Sequence, residues 1–216
     1  SSAASDVYKR QTEMIDQQLV DAVVATGALM CHGLVEEAGH THFRYDPSWS
    51  DEDLYRAGYA RVYDTLELER NLSAAETIVR AVLSQIPPDQ AFGSWEFHRR
   101  LGEYLHNTGS GRAILRSAFE QDVPVYVPAF IDSELGMDVF LFNLIRTRAG
   151  QPTLRFDPLR DLEDYFQRVM RAERLGIFTI GGGTPRNWAQ QVAPLAEIVH
   201  RHTDGAVGGL VRFQYG

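Results

Sequence analysis

The chain has 216 residues and a formal net charge of −8, with 29 acidic side chains against 21 basic ones. This balance argues against a nucleic-acid-binding surface, which needs clustered basic residues against the phosphate backbone. Hydrophobic residues make up 44% and charged residues 23%, a composition typical of a folded globular domain. No apolar run approaches the ~18 residues of a membrane span, so we expect neither nucleic acid nor a membrane as a partner.

Two residue types occur once each. Cys31 is the only cysteine, so no internal disulfide can form and a reducing cytoplasm is the simplest location. Lys9 is the only lysine, and the other basic residues are arginines. If residues 1–11 are a non-native leader, the native part has no lysine, which excludes a mechanism that needs a Schiff-base lysine from within these residues.

The two ends of the chain have sequence patterns that differ from the rest. Residues 1–11, SSAASDVYKRQ, show no hydrophobic periodicity, and we interpret them as a non-native leader. Residues 210–216 stop just after an apparent strand, without a following helix or tail. We therefore expect residues 12–216 to form a single, truncated domain.

The first half of the chain predicts one strand followed by several helices. The run DAVVAT is short, apolar and followed by Gly27, as in a buried strand. Ser73 and Glu76 have the S-x-x-E spacing of a capping box before an apolar helical face. The predicted elements are a strand at 21–26, a helix at 29–38, a polar loop at 39–49, and helices at 51–63, 73–86 and 94–106.

The second half alternates strands and helices. The predicted elements are helices at 112–120, 133–148, 159–172 and 185–202, with strands at 123–130, 176–180 and 206–213. Such alternation indicates an α/β fold in which a parallel sheet has helices on both faces. Continuously apolar strands, rather than alternating ones, indicate the same class.

Ligands of open α/β sheets bind beyond the carboxyl ends of the strands, and three such ends are notable. They are Thr26-Gly27-Ala28, Asp132 and the triplet Gly181-Gly182-Gly183. After the triplet, we expect Thr184 to cap a helix and Pro185 to occupy its first helical position. Glycines and free amides at a helix start suit a phosphate group. The alternative is a tight turn without a ligand, because the G-x-G-x-x-G fingerprint is absent.

Asp132 and a set of histidines and a glutamate each have two interpretations. Asp132 can accept hydrogen bonds from a ribose, or it can cap the helix that follows. The set His32, Glu36, His40 and His42 includes an i,i+4 pair and a His-x-His pair, which suit a metal. The alternative is a polar helix end and loop, and we assign no metal ligand.

Three segments together resemble the deoxyhypusine synthase family, and more closely its bacterial deoxyhypusine synthase-like branch. They are VVATGALMCHGLVE, VPVYVPAFIDSELGMDVF and IGGGTPRNWAQQ, in the family's order and with similar spacing. The resemblance covers about residues 12–216 and neither end of the family. It implies a Rossmann-like fold, NAD as cofactor, a spermidine-like polyamine as substrate and a homotetramer. It also implies aminobutyl transfer through an imine on an enzyme lysine to an acceptor amine, which the sequence does not identify.

The resemblance also implies roles for individual residues. Those implied to bind NAD are Thr26, Gly27, Ala28, His32, Asp132, Gly181, Gly182 and Gly183, with Glu36 or Glu37 in place of His32 if the alignment shifts. Those implied to bind substrate are Asn187 and Asp138.

The chain departs from the family pattern at several positions. Asn187 stands where a histidine is frequent, and Met137 stands where an aspartate is expected, with Asp138 next to it. The family's catalytic lysine belongs to a W-G-K motif that would lie beyond residue 216. We therefore expect this chain by itself to be inactive. A catalytically inactive NAD-binding paralogue or partner subunit is an alternative function, and a metal-dependent hydrolase is a third.

Overall fold

The computed structural model describes residues 3–62, 64–109, 111–112 and 114–215. The helices in this part are α1 (Ala3–Asp16), α2 (Gly27–Glu37), α3 (Asp51–Arg56), α4 (Glu69–Leu83), α5 (Ser94–Thr108), α6 (Ile114–Glu120), α7 (Glu134–Arg148), α8 (Leu159–Arg171) and α9 (Thr184–His202). The strands are β1 (Val23–Val24), β2 (Phe43–Arg44), β3 (Tyr59–Val62), β4 (Thr65–Leu68), β5 (Ala91–Phe92), β6 (Val125–Tyr126) and β7 (Arg155–Phe156). Over the same residues, no helix combines the length and the apolarity needed to cross a membrane.

Strands β1 and β6 form a short parallel pair at the centre of the domain. Val23 is in register with Val125, and Val24 with Tyr126. Pro124 donates no N–H to the ladder, which limits how far the pairing extends. β1 and β6 are shorter than the strands predicted at 21–26 and 123–130, but they pair in the predicted parallel direction. Strands β5 and β7 form a second parallel pair.

The β1–β6 pair separates two hydrophobic cores, because successive side chains of a strand point to opposite faces. Val23 and Val125 belong to the first core, which contains buried residues of α2, α4, α5, α6 and α7, among them Leu34, Val79, Leu101, Leu115 and Leu135. Val24 and Tyr126 belong to the second core, with Tyr165 and Val169 of α8 and Val192 and Ala196 of α9. The predicted α/β class, with helices on both faces of a parallel sheet, is confirmed.

A buried hydrogen-bond network joins the two sides. Asp161 of α8 accepts hydrogen bonds from Ser94 Oγ at 2.7 Å and from the Trp95 amide at 3.0 Å. Ser94 Oγ in turn accepts the Val127 amide at 2.8 Å. The carboxylate thus caps the start of α5, while the serine ties α5 to the end of β6. Both polar side chains are nearly fully buried, so these bonds satisfy groups that have no access to water.

An antiparallel sheet replaces the end of the predicted helix at 51–63 and includes residues that follow it. The predicted helix at 51–63 ends with α3 at Arg56, and the chain turns at Gly58, whose φ is 74°. Strands β3 and β4 then pair antiparallel, and β2, inside the predicted polar loop, joins the other edge of β4. The prediction of helix for 59–62 was wrong, and Tyr63 lies outside the described residues. A left-handed glycine ends the helix, and the following YARV favours an extended chain.

The predicted capping box at Ser73 was also wrong. Helix α4 begins at Glu69, directly after β4, so Ser73 lies one turn inside it. Its carbonyl accepts a hydrogen bond from Thr77 Oγ1 at 2.9 Å. A capping box of this type occurs instead at α3, where Ser50 and Asp53 exchange both hydrogen bonds. Glu69, Arg70 and Leu72 favour helix, so α4 can start before Ser73.

The strands predicted at 176–180 and 206–213 do not form. Gly176 makes only an isolated parallel bridge with Tyr215, and Phe178 is 72% exposed. In the second segment, Gly208 and Gly209 have φ values of 84° and 150°. The Gly209 amide donates to the Ala196 carbonyl at 3.2 Å, so the segment packs on α9 rather than in a sheet. A strand needs a neighbour along its length to satisfy its backbone.

Helix α1 crosses the predicted boundary between residues 11 and 12. Its Thr12 and Ile15 are buried. Arg112 donates to Glu13 at 2.8 Å and to Asp16 at 2.6 Å, which ties α1 to the residues before α6. The origin of residues 1–11 as a non-native leader stays a prediction.

Glu37, at the end of α2, is a carboxyl group inside the first core. It is 1% exposed and accepts the Leu115 amide at 2.8 Å. Its other oxygen has no hydrogen-bond partner among the described residues. Burial raises the pKa of Glu37 to about 8, against the lowering effects of the Leu115 hydrogen bond and the Arg116 charge.

We expect the protonated form of Glu37 to stabilise the fold. The folded pKa lies above the unfolded value of about 4.3, so this contribution is complete below about pH 4 and is lost as the pH rises through about 8. Glu37→Gln keeps an acceptor and removes the charge. Its free energy of unfolding should exceed that of the parent by roughly 2–4 kcal/mol at about pH 9, and the two should converge below about pH 4. Urea denaturation across this pH range measures the difference.

The exposed Glu103→Gln is the matched control, because it removes the same charge from the surface of α5. We expect no comparable pH-dependent gain from it. A Glu37→Gln variant whose stability differs from the parent by the same amount at every pH would contradict the assignment.

Candidate functional site at the strand ends

The parallel pairing of β1 and β6 places two of the predicted strand ends at one edge. The Ala25 amide donates to the Tyr126 carbonyl at 2.9 Å, and α2 and α7 begin shortly after the two strands. Thr26 is the N-cap of α2, and its hydroxyl accepts the Leu29 amide at 3.3 Å. Ser133 is the N-cap of α7, and its hydroxyl accepts the Gly136 amide at 3.3 Å.

The two helix starts touch at Gly27. A Cβ atom built on Gly27 would lie 2.2 Å from Ser133 Cβ and 2.4 Å from Ser133 Oγ. No side chain fits there, so glycine is required for the approach. The Thr26–Gly27 and Asp132–Ser133 segments, predicted separately, are therefore in direct contact.

This edge suits an anionic ligand. Two helix N-termini meet there, and each carries a partial positive charge and amides without partners inside the helix. Thr26 and Ala28 are exposed, whereas Gly27 is buried between them. An anion can thus reach the backbone on either side of the contact.

Asp132 lies at the same edge. Its side chain is exposed, and its amide donates to the Ala129 carbonyl at 3.0 Å. The helix cap is Ser133, so the alternative prediction that Asp132 caps α7 was wrong. Among the described residues its carboxylate makes no hydrogen bond within the fold, which leaves it available to a ligand.

The glycine triplet forms an open turn before α9. Gly181 and Gly183 have φ values of 87° and 77°, which favour glycine, and a Cβ on any of the three would meet no atom within 4 Å. Gly183 is the N-cap, without a side-chain hydrogen bond, so the prediction of Thr184 as the cap was wrong. Pro185 was predicted at the first helical position, but α9 begins at Thr184, so Pro185 is the second residue of the helix. The first amides of α9 are thus not capped by a side chain.

The two residues predicted to bind substrate lie on different helices. Asn187 is exposed in the first turn of α9. Asp138 is half-buried on α7, at a cavity between α7 and α4 that Glu76 and Arg80 also line. Burial raises the pKa of Asp138 to about 6, and the charges of Glu76 and Glu134 add to this effect.

His32 lies in a second polar cluster, about one and a half turns into α2. Its Nδ1 is 2.8 Å from Glu67 Oε2. His42 Nδ1 is 3.0 Å from Glu36 Oε1, and His42 Nε2 is 3.5 Å from Glu67 Oε2. The structure therefore brings together three of the four residues singled out in the sequence, and His40 does not take part.

Glu67 was missed because residues 64–72, between two predicted helices, received no predicted element. The sequence signal that could have identified Glu67 was its position as a single acidic residue between two leucines, in TLEL. Burial raises the pKa of Glu67, but hydrogen bonds and charges of His32 and His42 outweigh it and lower the pKa to about 2. Burial has the opposite effect on the base His42, whose pKa it lowers. Hydrogen bonds and charges of Glu36 and Glu67 outweigh this effect and raise the pKa of His42 to about 9.

Comparison with known proteins identifies the family. The sequence model of the deoxyhypusine synthase family matches residues 2–208. The chain belongs to the deoxyhypusine synthase family. The resemblance carried by the three strand-end and helix-start segments is thereby confirmed.

Relatives within the deoxyhypusine synthase family come from archaea and bacteria. The chain is 31% identical over 189 residues to "Probable deoxyhypusine synthase 2" of Methanosarcina acetivorans, covering 87% of this chain and 53% of that protein. It is 29% identical over 209 residues to a "Deoxyhypusine synthase-like protein" of Coxiella burnetii, covering 94% and 58%. The chain thus spans about half the length of the curated relatives it matches.

A solved structure supports the deoxyhypusine synthase fold. The crystal structure of a "putative deoxyhypusine synthase" from Entamoeba histolytica matches with a TM-score of 0.60 at 16% identity. The match covers 83% of this chain and 54% of that one. At this identity the likeness establishes the fold alone.

Two glycines of α2 provide a matched test of the contact at the strand ends. Gly27→Ala should destabilise the domain, because its Cβ would overlap Ser133. We expect a loss of roughly 2–4 kcal/mol in the free energy of unfolding, as for an overpacked site. Gly33→Ala, where a Cβ meets nothing within 4 Å, should be neutral or stabilise by up to about 1 kcal/mol through helix propensity. Thermal or urea denaturation compares them, and equal effects would refute the contact.

Proposed function

We propose that the full-length protein is an NAD-dependent aminobutyltransferase that acts on spermidine or a related polyamine. The observation that carries the proposal is the contact between the Thr26–Gly27 turn and the Asp132–Ser133 turn. Both turns start helices at the carboxyl edge of a parallel strand pair, which is where α/β folds bind nucleotides. Membership of the deoxyhypusine synthase family supports a transferase role.

NAD is the cofactor that these residues fit. We assign its contacts to Thr26, Gly27 and Ala28 at the start of α2, and to the exposed carboxylate of Asp132, which can accept ribose hydroxyl hydrogen bonds. The pyrophosphate is assigned to the open amides at Gly181, Gly182 and Gly183. The chemistry that bound NAD supplies is the removal of a hydride from the polyamine and its later return.

His32 is the least supported of the assigned NAD contacts. Its Nδ1 is 2.8 Å from Glu67, so only its other nitrogen is free to meet a ligand. The alternatives are engaged as well, because Glu36 contacts His42 and Glu37 accepts the Leu115 amide. We keep His32 as the assignment because it is 18% exposed, whereas Glu37 is buried.

A polyamine is assigned to Asp138 and Asn187. Asp138 is a half-buried carboxyl group whose pKa burial and neighbouring acids raise to about 6. An ammonium group beside it would favour the ionised form and relieve the repulsion from Glu76 and Glu134. The net charge of −8 also favours a cationic substrate.

The covalent step needs a lysine. A lysine amine attacks the carbon–nitrogen double bond of the oxidised polyamine, so that the aminobutyl group is held as an imine on the lysine and the remaining diamine leaves. Lys9 is the only lysine of this chain. We therefore assign the transfer to the full-length protein and expect the 216-residue chain to bind NAD without completing the transfer.

A homotetramer is the proposed assembly. Met137, Phe140, Leu141, Leu144 and Ile145 are exposed at helical spacing along α7. An apolar stripe of this kind favours a protein–protein contact. Because α7 starts at Ser133, such a contact would lie beside the candidate site, and light scattering of the full-length protein determines its mass.

Asp132→Ala tests the cofactor assignment. A charge-assisted hydrogen bond contributes about 1.5–3 kcal/mol, so we expect NAD affinity to fall by roughly 10- to 100-fold. The free energy of unfolding should stay the same, because the side chain makes no hydrogen bond in the described fold. Calorimetric titration with NAD measures the affinity. Asp89→Ala, which removes an equal charge at another exposed position, is the control, and equal affinities of both variants would refute the assignment.

Transfer by the full-length protein tests the reaction. Incubation with NAD, spermidine and candidate acceptor amines should yield an aminobutylated acceptor that mass spectrometry detects. NAD binding without transfer, for every polyamine tested, would refute the proposed reaction and favour the inactive NAD-binding paralogue.

A further inference from the structure

Two histidines and a glutamate from three separate elements converge beside α2. His32 lies on α2, His42 immediately precedes β2, and Glu67 lies on β4. One potential ligand atom from each lies within 4.8 Å of the others. The side chains of His42 and Glu67 are 3% and 2% exposed, and that of His32 is 18% exposed.

The orientation of His42 is that of a metal-ligating imidazole. Its Nδ1 is 3.0 Å from Glu36 Oε1, which orients the ring. Its Nε2 is buried and makes a long ion-pair contact of 3.5 Å with Glu67 Oε2. In the part of the chain that the structure describes, this nitrogen has no partner with good hydrogen-bond geometry. A carboxylate on one ring nitrogen, with the other nitrogen directed at the ion, is the usual arrangement around metal-bound histidine.

Glu67 is incompletely satisfied in the same place. Its Oε2 contacts His32 Nδ1 at 2.8 Å, whereas its Oε1 is buried without a partner in the described residues. Asp161 provides a comparison, since both of its oxygens accept hydrogen bonds from α5. A buried carboxylate with an unused oxygen beside an unused imidazole nitrogen indicates a missing shared partner.

We propose that His32, His42 and Glu67 bind one divalent transition-metal ion of the Zn²⁺ type. Two imidazoles and one carboxylate are a ligand set of Zn²⁺ sites that keep a further position for water or a small ligand. Mg²⁺ and Ca²⁺ prefer oxygen ligands, so the two nitrogens select against them. The partly exposed His32 gives the ion access from solvent.

The ion would fasten α2 to the antiparallel β2–β4–β3 sheet. Its three ligands belong to segments that share no continuous secondary structure. Because α2 also carries the Thr26–Gly27 turn, the ion would hold the helix that forms one side of the strand-end site. Because His32 would be a ligand of the ion, this inference takes the place of its assignment to NAD. The other assigned NAD contacts are unaffected, and NAD binding is measured separately.

Titration of metal-stripped full-length protein with Zn²⁺, in competition with a chromophoric chelator, tests the site. We expect one Zn²⁺ per chain with a dissociation constant of about 1 μM or lower and no competition from millimolar Mg²⁺. Co²⁺ should give the visible absorption of a four- or five-coordinate nitrogen and oxygen site. Failure to bind one Zn²⁺, or displacement by Mg²⁺, would overturn the proposal.

Variants locate the ion. Glu67→Gln keeps the side-chain shape and should weaken Zn²⁺ binding at least 100-fold, as should His42→Ala, whereas Glu36→Gln should weaken it about 10- to 100-fold. His40→Ala, a nearby histidine outside the cluster, is the control and should bind like the parent. Circular dichroism verifies folding. Equal Zn²⁺ affinities of folded Glu67→Gln, His40→Ala and parent proteins would overturn the assignment.

Discussion

The parallel pairing of β1 with β6 is the constraint on which the remaining structure depends. It is only two residues long on each side, yet it sets which side chains enter each core. Val23 and Val125 face the helices of the first core, and Val24 and Tyr126 face α8 and α9. A slip of one residue would exchange these faces and bury each set against the wrong helices.

The same pairing creates the candidate site. Parallel strands end at the same edge, so the helices that follow them start together. The approach at Gly27 is then so close that no Cβ fits beside Ser133. Under the proposed function, fold and function would share one requirement, because the turn proposed to receive a ligand is also the turn that lets α2 and α7 pack.

Buried polar groups are fully hydrogen-bonded in one part of the domain and incompletely hydrogen-bonded in another. The Ser94–Asp161 network is fully hydrogen-bonded and joins α5, α8 and the end of β6. The cluster of His32, His42 and Glu67 leaves two buried atoms unused. An unsatisfied buried polar group opposes folding. The satisfied network holds its elements together, whereas the two unused atoms of the cluster are the basis of the proposed metal site.

Much of the helical structure was predictable from local pattern. The helices at 94–106, 133–148, 159–172 and 185–202 were predicted to within about two residues of α5, α7, α8 and α9, because apolar spacing and glycine or proline boundaries act locally. Predictions of strands at 176–180 and 206–213 failed. An apolar run shows that a segment can be extended, but a strand also needs a partner that only the folded chain supplies.

By itself the sequence determined the α/β class, the family and the segments that start helices at the strand ends. These depend on residue type and order, as with Thr26-Gly27 and the glycine triplet. Only the tertiary structure decided that Gly27 touches Ser133, that 59–62 pairs as a strand and that Glu67 meets His32 and His42. Each is a contact between residues distant in the chain, set by packing and hydrogen bonding that no local pattern contains.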